Sequence, residues 1–160
     1  MFDYFNNELE NAPIGGGIDS IEDVQFFAGD GIPLSYFQSF TDGGNSCSPF
    51  LWVRLTSRFR TETFPVPHVG PAPCGMPRAV KIETGISRCA VNEAEPTRDE
   101  LAREAEIELD DSNRVDLALC RGLNLAKKHG CVNMTAIETV IPFGPEGGII
   151  AWLGLAYAQL

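Results

Sequence analysis

Hydrophobic and polar residues alternate with a period of two along three parts of the chain, which predicts three stretches of sheet. From Pro49 to Phe64, Leu51, Val53 and Leu55 point one way and Trp52, Arg54, Thr56, Arg58 and Arg60 the other, so one face is buried and the other is polar and cationic. Arg78 to Val91 repeats the pattern, with Val80, Ile82, Thr84 and Ile86 set against Lys81, Glu83 and Ser87. The two segments are expected to pair antiparallel, with Glu83 facing arginines across the pair. In the third stretch, Ile137, Thr139 and Ile141 alternate with Ala136, Glu138 and Val140, and the cluster from Phe143 to Gly148 then predicts a reversal. The return segment, Ile149 to Leu160, is apolar on both faces apart from Gln159. Such a strand belongs inside a sheet with both sides covered, and the other elements are expected to pack on it.

The period changes to that of a helix after Glu95. Thr97 with Glu100 has capping-box spacing, and acids crowd the first turn. Leu101, Ala105 and Leu109 make a narrow apolar stripe. Asp110 to Asn113 interrupts it, and then Val115, Ala118, Leu119, Gly122, Leu123 and Ala126 give a strong helical pattern. Lys127, Lys128 and His129 suit the last turn, with Gly130 as the residue beyond the cap. Because the two stripes do not continue each other on a straight cylinder, a bend near Ser112 or two consecutive helices is expected.

Two segments fall outside these periods. Residues 65–77 hold five prolines, which exclude helix and central strand and leave a stiff extended loop. Residues 1–46 combine acids and seven glycines with many aromatics, among them Phe26, Phe27, Tyr36, Phe37 and Phe40. Ile21 to Phe27 has the residues for a short capped helix. The aromatic content fits either a small subdomain with its own core or an extension whose aromatics dock on a neighbouring subunit. The expected architecture is thus α+β. A mostly antiparallel sheet in β-β-α-β-β order, with the helical segment on one face, occupies residues 47–160, and residues 1–46 form an N-terminal extension.

Charge and composition narrow the function. The net charge is −10, and residues 1–53 contribute eight acids and no base. An acidic chain repels phosphate, so tight non-specific nucleic-acid binding is disfavoured. No apolar run has membrane-spanning length and the acidic N-terminus lacks the cationic start of a signal peptide, so no membrane association is expected. The five cysteines are widely spaced, without a CxxC pair, and are expected as free thiols in a reducing compartment. His68 and His129 are the only histidines, and neither sits in a recognisable catalytic or metal-ligand pattern. No catalytic residue, metal or cofactor is therefore expected. Arg54, Arg58 and Arg60 make a candidate site for phosphate or carboxylate, against the commoner outcome of solvation or pairing with acids on the next strand.

Several short motifs occur together in one order: Cys47-x-Pro49-x-Leu51-Trp52-Val53-Arg54-Leu55, Phe64-Pro65, Pro73-Cys74-Gly75, Glu83-x-Gly85-Ile86-x-Arg88-Cys89-Ala90, the Leu119-Cys120 helix and Gly144-Pro145-Glu146-Gly147-Gly148. In these, residues 47–158 resemble tail-terminator and head-to-tail joining (neck) proteins of long-tailed actinobacterial phages. Ile149 and Ile150 depart from that group, which often has a cysteine and a small residue there, and the N-terminal third is not part of the pattern. The resemblance implies a virion protein, assembled in the host cytoplasm and forming a ring, most often a hexamer. Such a ring caps the tail tube and meets the head connector or stopper protein, and DNA passes through its lumen without specific binding. Arg54, Arg58 and Arg60 would pair with acids on the next subunit, and the N-terminal aromatics would clasp a neighbouring ring. The alternatives are a head-completion or minor capsid protein, and a small cytosolic α+β enzyme or ligand-binding domain using Cys74 or Cys89.

Overall fold

The computed structural model describes residues 24–29, 31, 50–91, 95–146 and 148–160. Among them are strands β1 (Val24–Ala28), β2 (Phe50–Arg60) and β3 (Arg78–Cys89), helix α1 (Arg98–Lys128), and strands β4 (Met134–Ile137), β5 (Ile141–Glu146) and β6 (Ile149–Gln159). They make an α+β fold with a mostly antiparallel sheet in the order β1-β2-β3-β6-β4, and β5 also pairs with β6. Among the described strands only the β1–β2 pairing is parallel.

The predicted β2–β3 pairing is present, and Arg54 lies opposite Glu83. The element order differs from β-β-α-β-β at both ends. Val24–Ala28 is an edge strand rather than part of a helix, because Phe26 and Phe27 lie in register with Val53 and Arg54 and extend the sheet. On the other side of the helix, the alternating stretch after Asn133 is two strands. Ile137 pairs with Ala156 and Ile141 with Leu153, so three steps on β6 span four on the facing chain; the Glu138 N–H still donates to the Leu155 carbonyl and Val140 packs on the core, and one extra residue separates β4 from β5. Phe143 to Glu146 remain in β5, and Gly148, just before β6, has φ +78°.

β6 pairs with β3 along its whole length on one side and with β4 and β5 on the other. Its cover is unequal. Ile150, Gly154, Ala156 and Ala158 are buried, whereas Leu153, Leu155, Tyr157 and Gln159 on the opposite face are half-exposed. The prediction that both faces are covered therefore holds under the helix and only partly on the reverse.

α1 is one continuous helix of 31 residues, not two, and opens with the predicted capping box: the Thr97 hydroxyl accepts from the Glu100 N–H while the Glu100 carboxylate takes the Thr97 N–H. Of the two expectations, two consecutive helices are excluded, since the helix runs through Ser112 without interruption. Asp110 and Asp111 do not cap a new helix. Asp111 faces inward and binds Arg88, while Asp110 binds Arg114 one turn on. The buried side of α1 begins at Asp111 and runs through Val115, Ala118, Leu119, Gly122, Leu123 and Ala126 onto Leu51, Val53, Val80, Ile86, Ala156 and Ala158. α1 is amphipathic, and no described helix is long and apolar enough to cross a membrane.

Two glycines set how closely these layers approach. A Cβ on Gly154 would lie 2.5 Å from Leu119 Cδ1 and 2.8 Å from Val115 Cγ1, so the helix seats in a notch that only glycine leaves. On the other face a Cβ on Gly85 would lie 2.5 Å from the Trp52 ring and 2.6 Å from the Trp152 carbonyl oxygen. The indole thus covers a glycine across the strand pair, and the backbone oxygen cannot move aside without breaking the β3–β6 ladder. Gly85→Ala is accordingly expected to destabilise the fold by about 1–3 kcal/mol through overpacking, read as a lower urea midpoint at unchanged m-value.

Candidate interaction surfaces

The arginine row of β2 is split by a bulge. Leu55 pairs with Ile82 and Ser57 with Lys81, so Thr56 is the extra residue. Because a one-residue slip reverses the facing of every later side chain, Arg54 lies on one face and Arg58 and Arg60 on the other. The expectation of three arginines on one surface is corrected accordingly, and the three have different surroundings.

Arg54 belongs to the interior. Its Nη2 donates to Glu83 Oε2 at 2.6 Å, and Trp52 Nε1 donates to the other carboxylate oxygen at 3.0 Å. Glu83 is buried, and Trp52 is only 2% exposed. Trp52 stacks on Phe50, whose ring lies 6.2 Å from Phe27, and Ala151 and Leu153 complete this second, smaller apolar cluster. Phe27 is thus partly committed to the fold, whereas Phe26 is 55% exposed on the edge strand. Tyr36, Phe37 and Phe40 lie outside the described residues.

Arg60 organises the proline-rich loop: its Nη1 donates to the carbonyls of Pro73, Cys74 and Met76 at 3.2, 2.8 and 3.1 Å. Arg58 and Arg78 are exposed, and their side chains make no hydrogen bond or ion pair with any described residue. Arg60 and Arg78 are cross-strand neighbours, an arrangement that repels unless an anion or water intervenes. Together with Phe59, Ala79 and Leu160, these three arginines line an open cleft of about 300 Å³. Lys127 and Lys128 end α1 at this same end of the sheet, since Asn133, just beyond the helix, donates to the Gln159 carbonyl.

The opposite end is acidic. Arg88 grips Asp111 with two bonds, Nε to Oδ2 at 2.5 Å and Nη2 to Oδ1 at 2.8 Å, so Asp111 is level with the last residues of β3. Residues 98–110 therefore run beyond the strand ends, about 20 Å of helix at 1.5 Å per residue, and none of them is buried. They carry seven acids with Asp111 against two arginines. On the inner side Glu104 accepts the Val91 N–H at 2.7 Å. Burial, with Glu104 and Asp111 nearby, raises the Glu108 carboxyl above its ordinary value, and burial raises Asp111 against the pull of Arg88. On the outer side Asp99, Glu106 and Asp116 interleave with Leu109, which is 64% exposed, and Leu117.

The residues weighed for chemistry are separately occupied. His68 Nδ1 lies 3.5 Å from Glu62 and its Nε2 lies 3.3 Å from the Pro71 carbonyl. Cys74, Cys120 and Cys131 are exposed free thiols, but Cys89 is disulfide-bonded, which corrects the expectation that every thiol is free. Among the described residues no group of three or more His, Cys, Asp or Glu is placed to hold a metal. No protein-family model matches the chain, and neither does any curated protein.

Legibility differed among these features. The Arg54–Glu83 pair followed from alternation and register, whereas the bulge at Thr56, which moves Arg58 and Arg60 to the other face, has no glycine or proline to announce it. Arg78 opens β3 with no pattern of its own in the sequence, and its place beside Arg60 depends on that bulge. Removing Arg54 leaves a buried carboxylate unpaired, so Arg54→Ala is expected to cost about 3–5 kcal/mol. Arg58→Ala should stay within about 0.5 kcal/mol of the parent. Parallel urea titrations check both values.

Proposed function

We propose that this protein is a structural subunit of a ring at the head–tail junction of a long-tailed phage, capping the tail tube and joining it to the head connector. It does this through shape and surface, without catalysis. The observation that carries the reading is that the two lateral edges of the sheet both expose apolar side chains. Phe26 is 55% exposed on the β1 edge, while Ile137, Ile141 and Phe143 are 39%, 46% and 49% exposed on the β4–β5 edge. Exposed apolar residues collected at edges mark contact surfaces. Pro142 and Pro145 lie in β5, and proline there blunts strand-to-strand addition, so that edge suits side-chain packing better than open-ended sheet growth.

A subunit with different surfaces on its two flanks associates heterologously, and such contacts give a ring when the rotation closes and a filament when it does not. Closure is what a terminator needs, because a ring ends a tube rather than lengthening it. The order of motifs from Cys47 to Gly148 supports the phage assignment, and the net charge of −10 suits a conduit that DNA must pass without adhering.

Native mass spectrometry of the purified protein, with immunogold electron microscopy of phage particles carrying it, tests the proposal. The expected outcome is one closed oligomer of fixed copy number, probed most simply for six, and label at the head-proximal end of the tail. A monomer at high concentration, with no label on particles, would overturn it.

A further inference from the structure

The two ends of the sheet carry opposite charge that one chain cannot bring together. At one end Arg58 and Arg78 are unpaired among the described residues and flank a cleft whose other walls include Phe59 and Leu160. At the other end the outer face of α1 presents Leu109 and Leu117 among Glu106, Asp116 and Asp99. β3 separates the ends, with Arg78 its first residue and Arg88 its last but one. At about 3.4 Å per residue the distance is on the order of 35 Å, far beyond direct side-chain reach.

The helix dipole accounts for part of this polarity, since acids favour the start of a helix and bases its end. That covers Asp99, Glu100, Lys127 and Lys128. It does not cover Arg58 and Arg78, which are on strands, nor Glu106 and Asp116, which lie beyond the first turn. Several other acids of the segment already have partners: Glu100 caps the helix, Glu104 holds Val91, and Asp110 and Asp111 hold Arg114 and Arg88. Glu108 is turned to the inner side, so Asp99, Glu106 and Asp116 are the carboxylates that lie on the outer face without a partner among the described residues, beside the exposed leucines.

We infer that the cleft at Arg58 and Arg78 of one copy receives the outer face of α1 of the next copy, with Glu106 and Asp116 meeting the guanidinium groups and Leu109 covering the apolar wall. The occupant is a second copy of this chain, because the complementary surface of matching sign and composition is on the chain itself, at the end that the cleft cannot reach. The inference deepens the ring reading and rests on it only in requiring self-association. It adds a charged head-to-tail contact to the lateral packing of the apolar edge at Ile141 and Phe143. Guanidinium–carboxylate pairs at such a contact fix orientation and speed encounter, and they weaken as salt screens them.

A charge-swap experiment tests it. Arg58→Glu/Arg78→Glu and Glu106→Arg/Asp116→Arg are prepared as two full-length proteins, each checked by circular dichroism and thermal unfolding, with Arg58→Ala/Arg78→Ala as a milder companion. Sedimentation velocity is expected to show self-association weakened at least about tenfold in each reversed variant, corresponding to about 1.4 kcal/mol. The alanine pair should show a smaller loss. An equimolar mixture of the two reversed proteins should recover assembly, because every junction is then either native or doubly reversed, and the mixed assembly should contain the two in equal number. If the wild type assembles and both reversed variants assemble equally well, this contact is wrong and the ring reading stands. If mixing folded reversed variants restores nothing, the pairing is likewise overturned. A wild type that stays monomeric removes the ring reading and this contact together.

Discussion

The structure depends on the seating of the second half of α1 in the notch at Gly154. Val115 and Leu119 approach the β6 backbone so closely that no side chain fits between them, and the apolar ridge from Ala118 to Ala126 then covers Leu51, Val53, Val80 and Ala156. Each large aliphatic group buried there contributes about 1.5–3 kcal/mol, which makes this layer the main source of stability. The Arg88–Asp111 pair sets where the covered part begins. A buried ion pair of this kind adds little net stability over an apolar one, but it fixes register, because sliding the helix would leave two charges without partners.

That anchoring has a consequence for the exposed half of the helix. With Asp111 held level with the end of β3, residues 98–110 run past the described strands and none of them is buried. A helical segment of this length would be marginal alone in water, and continuity with the packed half maintains it. The capping box at Thr97 and Glu100 secures its free end. The fold thus projects a stable, acidic, leucine-bearing rod at one end while leaving arginines in a cleft at the other. These are the two surfaces that the proposed head-to-tail contact would join.

The elements that could be read from the chain were those in which one local period persists. β2, β3 and the buried ridge of α1 follow from alternation or helical spacing, and the Thr97 cap from its spacing to Glu100. What escaped was decided by contacts between distant residues. Asp110 to Asn113 has the composition of a break, yet Arg88, 23 residues before Asp111, draws that carboxylate inward and keeps the helix continuous. Val24–Ala28 has too little pattern of its own, and its state is set by the edge that β2 offers. The row of Arg54, Arg58 and Arg60 reads as a single feature on paper, but one bulge residue turns it into a structural ion pair on one face and an open cleft on the other. Here register, not composition, decides which arginine is available to a partner.

The central claim is that copies associate end to end, with the projecting part of α1 against the cationic cleft. An electron cryomicroscopy reconstruction of the assembled protein, at a resolution that resolves helices, tests it most directly. The account predicts rod-like density for residues 98–117 lying across the boundary between adjacent subunits, against the end where β2 finishes and β3 begins. Density showing that helix facing open solvent in every subunit, with neighbours joined elsewhere, would contradict it.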